Sequence, residues 1–104
     1  MPAPLILRFG ELVIDLARYR VLVEDRPVAL AYREYALLVY LATRAGHLVP
    51  QRQLLEEGLG RHDPGGLRMV HEHIRHLKSK LGTRGEPLIE EVPGVGYRFR
   101  KYVT

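Results

Sequence analysis

The first thirty residues carry their apolar side chains in short runs broken by turn formers. Leu5-Ile6-Leu7-Arg8-Phe9 leads to Gly10, Leu12-Val13-Ile14-Asp15-Leu16 to Ala17-Arg18, and Tyr19-Arg20-Val21-Leu22-Val23 to Glu24-Asp25-Arg26-Pro27, before a last run Val28-Ala29-Leu30. Runs of this length, rich in Val, Ile and Leu, predict an antiparallel sheet of three or four strands over residues 5–30. The period then changes. Tyr35, Leu38, Val39 and Ala42 recur at helical spacing, with Leu37 and Leu41 widening the stripe, so a helix is expected over 32–45 with Gly46 as its stop. A second helix is expected over 50–58, with Leu54, Leu55 and Leu59 apolar and Pro50 in the first turn, where no donor is needed. Residues 58–66 have loop composition. Val70, Ile74, Leu77 and Leu81 then form one tight stripe that predicts a helix over 66–81, ended by Gly82. Residues 87–103 read as a β-hairpin turning at Pro93-Gly94-Val95-Gly96.

The order sheet, helix, helix, loop, helix, hairpin fits one α+β domain spanning residues 1–104, since a chain of this length holds one core. With no cysteine, disulfides and thiolate metal sites are excluded. No apolar run is long enough to span a bilayer, and the start lacks the layout of a secretory signal, so the expectation is a cytoplasmic protein with no membrane partner. The formal charge is +4, which suits a polyanion. That excess is uneven: residues 1–50 carry six basic and five acidic side chains, whereas residues 51–104 carry ten and seven.

The predicted helix 66–81 concentrates the charge. Four cations (Arg68, Arg75, Lys78, Lys80) face one anion, Glu72. At about 100° per residue, the side opposite the apolar stripe carries Arg68, Met69, Glu72, Arg75, His76 and Ser79, with His73 and Lys80 on a flank. A helix fits the major groove, where Arg, His, Glu and Ser meet base edges, while flanking cations suit phosphates. The preceding helix would brace it, and the hairpin, with Arg98, Arg100 and Lys101, would lie along the duplex as a wing. The competing reading is a winged-helix module that binds protein; it calls for an apolar patch on the third helix, and that face has only Met69.

These residues also resemble the DNA-binding output domain of the OmpR/PhoB family of bacterial response regulators. The resemblance runs from about Leu7 to Phe99 and rests on Gln53-Leu54-Leu55, on Arg68-x-Val70-x-x-His73-Ile74-x-x-Leu77-x-x-x-Leu81, and on Gly94-Val95-Gly96-Tyr97-Arg98-Phe99. It implies a winged helix-turn-helix with an N-terminal antiparallel sheet, three helices and a C-terminal β-hairpin wing. It further implies sequence-specific binding of double-stranded DNA for transcriptional regulation, with the third helix in the major groove. By position, Arg68 and His73 resemble the family's phosphate contacts, and Met69, Glu72 and His76 its base-facing side chains. Loop 58–66 resembles the segment that meets RNA polymerase, and members commonly bind direct repeats as homodimers. His76 stands where the family often has Arg, Glu72 where it has a small apolar residue, Pro93 where its wing has Arg, and Leu59 where Trp is frequent. Ala31 and Pro50 replace the usual helix-capping Thr or Ser. The family's receiver domain has no counterpart in the sequence, as expected of an excised domain or a standalone regulator.

Other chemistry finds little footing. His71-Glu72-His73-Ile74-Arg75-His76 approaches the zincin pattern His-Glu-x-x-His, but its fifth position is Arg75, so the histidine comes one residue late. His73 and His76 lack a third ligand at metal spacing. Ser79 is the only serine, and no nucleophile–base pair or phosphate-cradling glycine loop accompanies it. The expectation is a binding protein with no cofactor and no catalytic residue.

Overall fold

Two antiparallel sheets organise the chain in the computed structural model, which describes residues 5–60, 65–82 and 85–100, with backbone alone at 85 and 86. The first sheet holds β1 (Ile6–Phe9), β2 (Leu12–Asp15), β3 (Arg20–Val23) and β4 (Arg26–Pro27) in sequence order. Phe9 pairs with Leu12, and Val23 with Arg26, so two-residue turns set both registers. Glu24 and Asp25 both take positive φ, as the turn matching the right-handed strand twist requires. The fourth strand is Arg26–Pro27, short and at the sheet edge, where a proline without a donor is tolerated. Val28 adds one further bond, its N–H donating to Val21 O at 2.9 Å.

Helix α1 runs Tyr32–Ala42, shorter than the expected 32–45. The Thr43 hydroxyl donates to the carbonyls of Val39 (2.8 Å) and Tyr40 (3.1 Å), capturing acceptors that a further turn would need. The buried face is also rotated by one position: Glu34, Leu37, Leu38 and Leu41 are inside, while Tyr35 and Val39 are only partly covered. Glu34 turns back to accept from the N–H of Ala31 at 2.9 Å. Ala31 has no side-chain oxygen to return that bond, so this is one half of a capping box.

Strand β5 (Leu48–Pro50) is absent from the sequence expectation. It pairs with the last strand, and this holds Pro50 extended, so α2 begins at Gln51 instead of Pro50. Helix α2 (Gln51–Gln53) continues into π-helical turns over Leu54–Gly60. Tyr40 is nearly buried and links to both parts: Gln53 Nε2 donates to its hydroxyl (2.8 Å), which donates to Glu57 Oε1 (2.9 Å). Helix α3 spans Gly66–Leu81, as its apolar stripe predicts, and Val70, Ile74, Leu77 and Leu81 are all buried.

The hairpin is tighter than the expected 87–103. Residues 85–88 form a helical turn, α4 (Gly85–Leu88), that buries Leu88; β6 (Ile89–Val92) and β7 (Gly96–Phe99) follow. The expected extension over 101–103 lies outside the described residues. Pro93 and the positive φ of Gly94 fit a type II turn closed by Val95 N–H to Val92 O at 3.0 Å. Strand β7 lies centrally, in the order β5-β7-β6, and directs Tyr97 and Phe99 into a core shared with the first sheet and the helices. Phe99 meets Phe9 of β1 edge-on, centroids 4.6 Å apart.

Gly96 sits opposite Pro50, and a Cβ there would lie 2.0 Å from Val49 O. Gly96→Ala therefore has to push β5 and β7 apart, and a loss of about 1–3 kcal/mol in unfolding free energy is expected. Urea denaturation checks it: a midpoint unchanged from wild type would mean that the two strands separate at no cost.

Candidate nucleic-acid interface

Helix α3 has two sides because its apolar stripe fixes its rotation. Burying Val70, Ile74, Leu77 and Leu81 leaves Arg68, His71, Arg75, His76, Ser79 and Lys80 exposed, with Met69, Glu72, His73 and Lys78 half-buried. Six of the sequence-predicted site residues (Arg68, Met69, Glu72, His73, Arg75, His76) thus lie together on the outer surface of one helix.

Their partners differ. Arg75 donates to Glu72 Oε2 at 2.7 Å, and His76 Nε2 lies 4.0 Å from the same oxygen. The hydrogen bond and charge of Arg75 hold the Glu72 carboxyl below the usual carboxylate range, with smaller help from His76 and His71. Glu72 is therefore an acceptor in the middle of the surface, and it keeps the Arg75 guanidinium in place beside it. Arg68 and His73 have no hydrogen-bond or ion-pair partner among the described residues. Met69 lies over the Gly65 backbone that starts the helix.

Lys80 stands apart from this group. Its ammonium donates to Glu34 Oε1 at 2.7 Å, and the Glu34 side chain is only 4% exposed. Burial disfavours the Glu34 carboxylate, yet the Lys80 hydrogen bond, the Ala31 N–H, and the charges of Lys80 and His76 outweigh it and lower the pKa. The pair ties the end of α3 to the start of α1. Nothing in the spacing of α3 reveals it; only the Ala31-x-x-Glu34 pattern gives a local hint.

On the hairpin, Arg98 faces Glu90 across the strands and donates to its Oε1 through Nε (2.8 Å) and a terminal nitrogen (2.6 Å). The Arg98 hydrogen bond is the main cause of the lowered Glu90 pKa, and Arg100 approaches Glu90 to 3.6 Å. Lys101 lies outside the described residues. The hairpin tip is anchored as well, since Gln51 N–H at the start of α2 donates to Val95 O at 3.0 Å. Between α3 and the hairpin runs a cleft of about 270 Å³ lined by His71, Ile74, Arg75, Lys78, Glu91 and Tyr97. His71 Nδ1 is 3.0 Å from the Tyr97 hydroxyl. No pattern along the chain announces this contact, although His71, Arg75 and Lys78 share a helix flank at i, i+4 and i+7.

A helix packed over two shorter ones, with its outer face charged and a β-hairpin beside it, defines a winged helix-turn-helix protein. Residues 25–99 match the family described as transcriptional regulatory protein, C terminal, and the chain belongs to that family, the OmpR/PhoB type. It is 36% identical over 97 residues to the transcriptional regulatory protein SrrA of Staphylococcus aureus, a match covering 90% of this chain and 40% of SrrA. The chain thus spans about 40% of the length of the curated relatives it matches. Its fold superposes on the response regulator DrrB of Thermotoga maritima, an OmpR/PhoB homologue, with TM-score 0.83 and 28% identity over 92% of this chain and 44% of DrrB. It superposes likewise on the Klebsiella pneumoniae RstA DNA-binding domain, solved in complex with the RstA box, with TM-score 0.81 and 30% identity over 93% of this chain and 98% of that domain. Among the described residues no helix is long and apolar enough to cross a membrane, and no group of three metal-binding side chains occurs.

Removing Lys80 leaves the buried Glu34 carboxylate with the Ala31 N–H as its hydrogen-bond donor among the described residues and with the more distant His76. Lys80→Ala is expected to lower stability by about 1–3 kcal/mol near neutral pH. Because the Glu34 pKa is depressed on folding, its stabilising charge is present above the ordinary value of 4.5 and is lost as pH falls through the folded value. The deficit of the variant should therefore narrow in acid. Urea midpoints at neutral and acidic pH test this, and a pH-independent deficit would contradict the pairing.

Proposed function

We propose that the chain binds double-stranded DNA with sequence preference and regulates transcription, with α3 in the major groove and the β6–β7 hairpin along the backbone. The observation that carries this reading is the outer surface of α3, where Arg68, Met69, Glu72, His73, Arg75 and His76 stand together beside the hairpin. Membership of a transcription-regulator family and likeness to a domain solved with DNA support it.

The roles follow from chemistry. Arg68 and His73, without protein partners among the described residues, meet phosphates and set the register of the helix. Met69, Glu72 and His76 face bases; Glu72 accepts from cytosine N4, and His76 offers one donor or acceptor instead of the Arg fork. Arg75, restrained by Glu72, donates its remaining N–H groups to the backbone. Lys80, held by Glu34, acts chiefly by fixing α3 on α1 and adds charge at longer range. Arg98 contributes to the wing through its exposed edge beside Glu90.

The reading implies a cytoplasmic protein with a non-catalytic role and no cofactor. It extends to pairing of two copies on direct repeats and to RNA polymerase contact through residues 58–66, of which 61–64 lie outside the described residues.

Fluorescence anisotropy with random duplex DNA over a salt series tests the core of this proposal. Binding should weaken linearly in log–log form, and Arg68→Ala should flatten the slope by about 0.9. After selection of preferred sites, His76→Ala should change the preference between two sites by about 1–3 kcal/mol. No binding at low salt would overturn the reading in favour of a protein-binding winged helix.

A further inference from the structure

The cleft between α3 and the hairpin holds a histidine whose ring already has a partner before any ligand arrives. His71 lies on the flank of α3 nearest the hairpin, half-exposed, with Nδ1 3.0 Å from the hydroxyl of Tyr97 and 3.8 Å from Glu91 Oε2. Tyr97 itself is buried on β7. Burial, with a smaller contribution from the Glu91 charge, pushes its pKa up to about 12, so the hydroxyl keeps its proton and remains able to donate. When it donates to a neutral His71, Nδ1 is the acceptor and Nε2 must carry the ring proton. Arg75 follows one turn along the same flank, and the floor is apolar at Ile74.

We propose that this cleft is a binding site for one phosphate of the DNA backbone, with His71 Nε2–H and Arg75 as its donors and Tyr97 as the residue that orients His71. The proposal rests on the DNA-binding reading, and it places the backbone between α3 and the wing. It also gives the site a proton dependence. A second proton on His71 reverses the Tyr97 bond, so that Nδ1–H donates to the Tyr97 oxygen or to Glu91. A full positive charge is then added beside Arg75. The charged groups facing His71 are Glu91 from β6 and, on its own helix, Glu72, Arg75 and Lys78; Tyr97 faces it from β7.

The geometry of the free protein and the DNA contact are read separately. In the free protein, nitrogen-detected NMR of the imidazole rings at about pH 8 should find His71 with its proton on Nε2, and Tyr97→Phe should mix the two tautomers. In duplex binding over a salt series, wild type should show a steeper log–log slope at about pH 5.5 than at about pH 8. His71→Gln should remove about 0.9 of that difference and about tenfold in affinity at the acid end, whereas His47→Gln, on the opposite end of β5 from the hairpin tip, should remove none. Tyr97→Phe should weaken binding at about pH 8 while keeping the steeper slope in acid; circular dichroism would establish that this buried variant is folded. A wild type that binds while His71→Gln matches its slope and affinity at both pH values overturns the phosphate site and leaves the DNA reading standing. A proton found on Nδ1 in the free protein overturns the orienting role of Tyr97. Absence of binding by wild type at low salt overturns the DNA reading, and the site falls with it.

Discussion

The burial of one stripe on α3 governs the rest of the molecule. Val70, Ile74, Leu77 and Leu81 each lose nearly all contact with water, and they do so in the same core as Leu37, Leu38 and Leu41 of α1 and Tyr97 and Phe99 of β7. Each such side chain contributes about 1.5–3 kcal/mol on burial, far more than any single exposed ion pair can. The stripe therefore sets the rotation of the helix, and the charged residues take whatever positions remain. The outer surface of α3 is a consequence of its inner one.

On that surface and on the hairpin beside it, several cations are restrained by carboxylates. Glu72 holds Arg75, Glu34 holds Lys80, and Glu90 holds Arg98. Exposed pairs of this kind contribute little to stability, but they limit the conformations of long side chains before a ligand is met. Glu34 is a different case because it is buried. Its carboxylate needs Lys80 and the Ala31 N–H to offset desolvation, and in return it locks the end of α3 onto α1. The hairpin is positioned in a similar way, through Gln51 to Val95, the β5–β7 pairing and His71 to Tyr97. Helix α3 and the hairpin are thus tied together at several points, with a cleft between them.

Much of the architecture is legible in the sequence because it depends on local periodicity. Helix α3 begins and ends where its stripe and glycines place it, and the first three strands follow their short apolar runs, whereas the fourth falls on Arg26–Pro27 instead of the run Val28-Ala29-Leu30. Helix α1 ends early for a local reason, the Thr43 hydroxyl, whereas other misplaced boundaries lie where distant segments meet. Strand β5 exists because β7 offers it a partner 46 residues or more along the chain, and that pairing moves the start of α2 from Pro50 to Gln51. Residues 87 and 88 have strand-like composition, yet the buried Leu88 closes a helical turn. The buried position of Glu34 has the same origin, since its partner Lys80 is remote in sequence.

The candidate interface divides along the same line. Which residues share the outer face of α3 is legible along the chain, because helical geometry relates positions within one element whatever surrounds it. The hydrophobic stripe supplies the orientation. Which cations are engaged depends on packing, which brings Glu34 to Lys80 on α3 and, on the hairpin, Glu90 to Arg98. It also joined His71 to Tyr97 across 26 residues of chain. Such contacts depend on distances between elements, and the packing of a shared core fixes those distances where no pattern along the chain can.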